Sequence, residues 1–142
     1  MTPPAGETAA HPGPASEGVT LLIVDDNEDA VWGLRTLLEL AGHTVLAAGT
    51  GERGFAAAQA HRPAIALLDI GLPDMSGLEL ARRIRATGWG HELALVALSG
   101  LGQEDDVRQS KAAGFDAHLT KPAEIAQLRA LVAELAGRKA KP

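Results

Sequence analysis

Ile65-Ala66-Leu67-Leu68-Asp69 is a short run of apolar residues that ends in a carboxylate. A second run, Val19-Thr20-Leu21-Leu22-Ile23-Val24, leads in the same way into Asp25-Asp26-Asn27. Short runs rich in branched aliphatic residues are typical of strands that are buried on both faces of a parallel sheet. The carboxylates that follow would therefore lie at the carboxyl ends of two strands, which is where open α/β sheets bind ligands.

Runs of strand character alternate with longer segments of helical period from Val19 onward. The predicted strands are Val19–Val24, Thr44–Ala47, Ile65–Asp69, Leu93–Leu98 and Ala117–Leu119. The predicted helices follow them at 28–41, 51–61, 77–86, 103–113 and 123–136. Gly42, Gly88 and Gly114 come after three of these helices, where a residue of positive φ ends the last turn at little cost. Repeated βα units predict an α/β fold, a parallel sheet covered by helices on both faces.

The 142 residues have room for one domain, and a hydrophobic content of 46% is enough for a substantial core. Residues 1–18 are rich in Pro, Ala, Gly, Thr and Ser, and they predict a disordered tail that is either a tether or dispensable. We assign residues 19–137 to the domain and 138–142 to a short basic tail. A chain that starts with Met and ends soon after one domain predicts a free-standing protein without an attached output domain.

Composition excludes several classes of protein. The chain has no cysteine, which removes disulfide scaffolds, thiolate metal sites and cysteine nucleophiles. The formal net charge of -5 argues against general binding of nucleic acid, which requires a basic face. Neither a secretory signal nor an apolar run long enough for a membrane span is present in the sequence. We therefore expect a cytoplasmic protein that binds neither nucleic acid nor membranes.

Asp25, Asp26 and Asp69 are expected to converge, because the carboxyl ends of parallel strands open on the same edge of a sheet. Crowded carboxylates repel one another and normally persist together because a cation compensates their charge. Oxygen ligands favour Mg²⁺ over Zn²⁺, with Mn²⁺ as a substitute. An isolated Asp-Asp pair is better explained by Asp26 as a helix N-cap. Asp69 favours the metal site, since a charge that closes an apolar strand is harder to explain as a cap.

Ser99 and Lys121 follow the fourth and fifth predicted strands, so they are expected at the same edge. A hydroxyl and an ammonium beside a metal-bound carboxylate supply the donors and the positive charge that a phosphoryl group requires. Individually, Ser99 is typical of a turn and Lys121 of a solvated surface lysine. Their joint placement beside the acidic residues indicates a phosphoryl site.

Four motifs together resemble the response regulator receiver domains of bacterial two-component systems, over about Val19 to Glu134. In chain order they are Ile23-Val24-Asp25-Asp26-Asn27, Leu68-Asp69-Ile70-Gly71-Leu72-Pro73-Asp74-Met75-Ser76-Gly77, Ala97-Leu98-Ser99-Gly100 and Leu119-Thr120-Lys121-Pro122. The resemblance implies a flavodoxin-like, doubly wound fold with a five-stranded parallel sheet of order 2-1-3-4-5. It also implies a phosphoacceptor switch, not an enzyme that turns over an external substrate.

The resemblance assigns roles to the acidic residues. Asp69 would accept a phosphoryl group from the phosphohistidine of a histidine kinase or histidine phosphotransfer protein. Asp26, Asp69 and the main-chain carbonyl of Gly71 would bind Mg²⁺ directly, and Asp25 would act through a bound water. Phosphorylation would then change binding to an unidentified downstream protein, or the phosphoryl group would be relayed onward.

The resemblance also implies the surroundings of the phosphoryl group. Ser99 and Lys121 would each contact a phosphoryl oxygen, and a cis peptide bond between Lys121 and Pro122 would aim the lysine. Gly77 would lie where the loop after the acceptor enters the third helix.

Three positions qualify the resemblance. His118 stands at the switch position where the family couples phosphorylation to an aromatic residue, and the chain has no tyrosine; alternatively, His118 faces solvent at the sheet edge. Gly100 stands where the family often has alanine, which predicts rapid self-dephosphorylation. Trp32 lies off the apolar stripe of the first helix, and we interpret it either as a docking residue for the phosphodonor or as a ring lying across the rim of its own fold.

Three other functions remain as alternatives. A flavodoxin-like flavin carrier shares the fold, but its first loop must cradle a phosphate, whereas Asp25-Asp26-Asn27 is acidic. An aspartate-nucleophile phosphatase places a second acid two residues after the nucleophile, where this chain has Gly71. A degenerate receiver that only binds proteins is disfavoured by the complete acceptor site.

Overall fold

The computed structural model describes residues 18–100 and 104–140. Its strands are β1 (Thr20–Val24), β2 (Thr44–Ala48), β3 (Ile65–Asp69), β4 (Ala94–Ser99) and β5 (Ala117–Thr120). Its helices are α1 (Glu28–Leu40), α2 (Gly51–His61), α3 (Gly77–Arg85), α4 (Glu104–Ala113) and α5 (Ile125–Ala140). All strand pairs are parallel, in the order β2-β1-β3-β4-β5, so the predicted fold and strand order are confirmed.

The sheet separates two apolar clusters, because successive residues of each strand face opposite sides. On one side, Leu22, Leu68 and Leu95 pack with residues of α2 and α3. On the other side, Leu21, Leu67 and Val96 pack with residues of α1 and α5. The interior strands β1, β3 and β4 are therefore almost continuously apolar, as the sequence pattern predicted.

Some predicted boundaries were wrong. Helix α5 continues to Ala140, four residues past its predicted end and into the segment interpreted as a basic tail. Gly42 and Gly114 have positive φ angles of 98° and 105°, but Gly88 does not, because α3 ends in a right-handed conformation at Ala86. A left-handed residue instead follows α2 at Arg62. Of the predicted tail at 1–18, residues 1–17 lie outside the described residues.

Arg85, the last residue of α3, joins segments at the edge of the sheet opposite the acidic residues. Its guanidinium donates to the carbonyl oxygens of Gly114, Gly90 and Leu93 at 2.9, 2.7 and 2.8 Å. It also pairs with Asp116 at 2.8 Å, and the same carboxylate oxygen accepts from the main-chain nitrogen of Leu95. This arginine therefore fixes the turns before β4 and β5.

Candidate functional site

The carboxyl ends of β1 and β3 bring three carboxylates together. Asp25 and Asp69 are buried, Asp26 is exposed, and one carboxylate oxygen from each lies within 4.8 Å of the others. The main-chain nitrogen of Asn27 donates to Asp25 at 3.0 Å and orients that side chain. Asn27 is itself the N-cap of α1, so Asp26 does not serve as that cap. A compact set of carboxylate oxygens fits a hard divalent cation such as Mg²⁺.

Lys121 follows β5 and reaches across the edge of the sheet to both buried carboxylates. Its Nζ donates to Oδ2 of Asp25 at 2.8 Å and lies 3.3 Å from Oδ1 of Asp69. Burial lowers the pKa of the ammonium, but the hydrogen bond and the charge of Asp25, together with Asp69, outweigh burial and raise the pKa. Lys121 therefore remains a cation and is not a solvated surface lysine. The peptide bond between Lys121 and Pro122 is cis, the isomer that the resemblance implied.

Asp69 carries an electrostatic cost at the centre of this cluster. Burial and the charge of Asp25 raise its pKa, although Lys121 and a hydrogen bond from the main-chain nitrogen of Gly71, at 3.3 Å, act in the opposite direction. A bound cation or the loss of a neighbouring charge would relieve this cost. A cation that binds beside the Asp69 carboxylate would therefore be stabilised by its negative charge.

Ser99 and Gly71 lie beside Asp69 along the same edge. Asp69 is paired in register with Leu98, so the buried Ser99 lies one residue beyond it on β4. The main-chain nitrogen of Lys121 donates to the carbonyl oxygen of Ser99 at 2.7 Å, which ties the ends of β4 and β5 together. Gly71 is exposed, two residues after Asp69, and forms a bridge with Ser76.

His118 and Trp32 are two further positions that the sequence singled out, on β5 and α1. His118 is on the edge strand β5, and its Nε2 is buried without a hydrogen-bond partner among the described residues, so this end of the ring does not face solvent. Trp32 is 70% exposed on α1, so its own fold leaves most of its surface uncovered. The other tryptophan, Trp89, is buried against Phe55 with a ring separation of 5.9 Å.

Two grooves flank α1 next to the acidic cluster. An apolar groove of about 470 Å³ lies between α1 and the segment that connects β5 to α5, and it opens beside Asp25 and Lys121. Its apolar lining consists of Ala30, Gly33, Leu34, Leu37, Leu98, Pro122 and Ala123. A second groove of about 400 Å³ is lined by Asp26, Trp32, Arg35 and Arg53 among others. Sequence reasoning missed both grooves, since they arise from the spacing of α1 and its neighbours.

Comparison with known proteins agrees with this geometry. Residues 21–133 match the family described as response regulator receiver domain. The chain is 36% identical, over 99% of its length, to the virulence sensor protein BvgS of Bordetella pertussis, of which it covers 12%. It is 37% identical to the KDP operon transcriptional regulatory protein KdpE of Escherichia coli, over 78% of this chain and 48% of that protein. The chain therefore spans half or less of these relatives.

One similar solved structure contains a magnesium ion. The receiver domain of sensor histidine kinase PA1611 from Pseudomonas aeruginosa, with a magnesium ion coordinated in its active site cleft, superposes with a TM-score of 0.78. The two are 27% identical over 84% of this chain and 98% of the other. Within residues 18–100 and 104–140, no helix combines the length and apolar character needed to cross a bilayer.

Proposed function

The chain belongs to the response regulator receiver domain family, and from this premise we propose that it accepts a phosphoryl group on Asp69 in a Mg²⁺-dependent reaction. The donor would be the phosphohistidine of a histidine kinase or histidine phosphotransfer protein. The observation that carries the proposal is the meeting of Asp25, Asp26 and Asp69 with the ammonium of Lys121 at one edge of the sheet. The whole set has the charges that phosphoryl transfer requires.

In the proposed reaction, a carboxylate oxygen of Asp69 attacks the phosphorus atom. The new P–O bond forms as the P–N bond to the donor imidazole breaks, and the imidazole leaves with the electron pair and takes up a proton. Lys121 would move from Asp25 toward the phosphoryl oxygens, and Ser99 would donate its hydroxyl to another. Asp26, Asp69 and the carbonyl of Gly71 would hold Mg²⁺, which when bound supplies charge that offsets the phosphoryl oxygens.

The apolar groove beside α1 supports docking of a helical phosphodonor. It opens next to Asp25 and Lys121, so a histidine presented from a helix in this groove would face the acceptor. Exposed Trp32 on the other flank of α1 would extend the contact, because aromatic residues are enriched in interface cores. We place the donor on this face of the molecule, in the cytoplasm.

Phosphorylation would act as a switch because it adds roughly 1.5 to 2 negative charges at Asp69. Ser99 would be drawn toward the new group, and His118 on the neighbouring strand would respond to that movement. The output is either altered binding of a downstream protein or relay to a second histidine, and similarity to both a sensor protein and a transcriptional regulator keeps both outputs open. No turnover of an external substrate is proposed.

Phosphotransfer profiling against the purified kinases of the host tests the proposal. Transfer of label to the wild-type chain, its loss in Asp69→Asn and its loss on chelation of Mg²⁺ are the expected results. Failure to label the wild-type chain with any kinase or small phosphodonor would favour a receiver that only binds proteins. Catalytic hydrolysis of an external phosphoester would instead favour the aspartate-nucleophile phosphatase.

A further inference from the structure

The β3–α3 loop, residues 70–76, carries the Gly71 carbonyl and is closed tightly at its base. The main-chain nitrogen of Gly77 donates to the carbonyl oxygen of Ile70 at 2.8 Å, and Gly71 bridges Ser76 across the loop. Gly77 packs so closely on the main chain of Asp69 that an added Cβ would overlap its carbonyl oxygen. The base of the loop is therefore fixed to the end of β3.

The tip of the same loop is fixed to a different element, the start of α2. Asp74 accepts hydrogen bonds from the main-chain nitrogens of Gly51 and Glu52 at 2.7 and 3.0 Å. Met75 packs against Gly51, where a Cβ would lie only 2.5 Å from the Met75 Cγ. The first amides of a helix lack partners within the helix and carry partial positive charge, so a carboxylate binds them well.

We propose that Asp74 is a positioning residue for the metal site, which holds the β3–α3 loop so that the Gly71 carbonyl is already in place when Mg²⁺ binds. This inference rests on the proposed function, since it takes Gly71 as a metal ligand. Gly71 is exposed and has no side chain to anchor it, so its carbonyl is held through its main-chain bridge to Ser76, and Asp74 fixes the part of the loop that leads into Ser76. Without Asp74, ordering of the loop would oppose metal binding.

A purely structural role for Asp74, as a cap that stabilises α2, makes a different prediction. Helix α2 already has its own N-cap, Thr50, whose side chain accepts from the main-chain nitrogen of Arg53 at 3.1 Å. Thr50 lies outside the β3–α3 loop, whereas Asp74 joins that loop to the helix. Thr50→Ala therefore weakens the start of α2 without releasing the loop, and it is the matched control.

Calorimetric titration of the full chain with Mg²⁺ at neutral pH tests the inference. We expect Asp74→Ala to weaken Mg²⁺ binding by roughly tenfold, the low end of the loss found for residues that orient metal ligands. Asp74→Asn retains one oxygen acceptor and should recover part of the affinity, while Thr50→Ala should bind Mg²⁺ like the wild type. Circular dichroism would check that each variant is folded.

Two results would overturn the inference while leaving the proposed function intact. One is unchanged Mg²⁺ affinity in both Asp74 variants, and the other is an equal loss in Thr50→Ala. A wild-type chain that binds no Mg²⁺ would overturn the proposed function and this inference together.

Discussion

Lys121 donates through Nζ to Oδ2 of Asp25 at 2.8 Å and so joins the ends of β5 and β1, which are 96 residues apart in the chain. The Asp25 side chain is fully buried, so the lysine compensates a charge that water does not reach. The same ammonium lies 3.3 Å from Asp69. One cation thus serves both carboxylates, in the place where a phosphoryl group would need it.

Replacing Lys121 with methionine should separate phosphoryl transfer from metal binding. We expect Lys121→Met to slow phosphorylation by at least roughly tenfold, because the phosphoryl oxygens lose a charged donor. The Mg²⁺ affinity should be equal or higher, since the ammonium no longer competes for Asp25 and Asp69. Phosphotransfer kinetics and Mg²⁺ titration measure the two effects, with Lys111→Met on the exposed face of α4 as control. Weaker Mg²⁺ binding would show instead that the lysine orders the carboxylates.

The raised pKa of Asp69 predicts a pH-dependent change in stability. Its ordinary pKa is 3.8, and a higher value in the folded state means that folding disfavours the charged carboxylate. The favourable contribution of the protonated form is fully present below 3.8 and is lost as pH rises through the folded-state pKa. At pH 7 without Mg²⁺, Asp69→Asn should therefore stabilise the fold and raise Tm.

Thermal unfolding of the wild type and Asp69→Asn between pH 3 and pH 8 checks this expectation. The stability difference should shrink toward the acid end of that range, and Mg²⁺ should stabilise the wild type more than the variant. A variant that is less stable than the wild type at pH 7 would mean that attraction to Lys121 exceeds the combined cost of burial and repulsion from Asp25.

The fold was predictable from the sequence because each strand and helix has its own local pattern of apolar residues. The apolar runs ending at Val24 and Asp69 identify buried strands, and parallel pairing then brings their carboxylates to one edge. The direct contact of Lys121 with Asp25 did not follow from this reasoning, which gave only the shared edge. The partner of a long flexible side chain depends on distances that only the packed sheet defines.

Other parts of the structure have no local signal at all. In the sequence, nothing distinguishes Arg85 from the other arginines near the end of its helix. In the structure, its guanidinium donates to four acceptors from separate turns. Asp74 similarly reads as a turn residue, and its role at the start of α2 depends on how two loops pack. The sequence left open whether His118 faces solvent at the edge strand, and only the packed structure shows that its Nε2 is buried.

Exposed Trp32 should matter for the protein donor and not for the chemistry. Trp32→Ala is expected to raise KM for a phosphorylated histidine kinase several-fold at similar kcat, because it removes contact area and leaves Asp69, Ser99 and Lys121 unchanged. Acceptance from a small-molecule phosphoramidate should be unchanged. Leu40→Ala is the control, since Leu40 is 81% exposed on the same helix but two turns farther from the carboxylates. An equal effect of the two substitutions, or none, would place donor docking elsewhere.

Gly100 predicts a short lifetime for the phosphorylated state, because it is exposed directly after Ser99 and leaves the phosphoryl site open to water. No described atom lies within 4 Å of a Cβ built on Gly100, so Gly100→Ala should fold normally. The added methyl group would hinder the water that attacks the acyl phosphate, and we expect a several-fold longer half-life.

The half-life is measured as loss of label from the purified phosphorylated chain. Gly88→Ala is the control, since Gly88 has equally open surroundings in the loop after α3. Two results would show that water access at this position does not limit hydrolysis. One is a wild-type half-life as long as that of slow relay domains, and the other is a half-life that Gly100→Ala leaves unchanged.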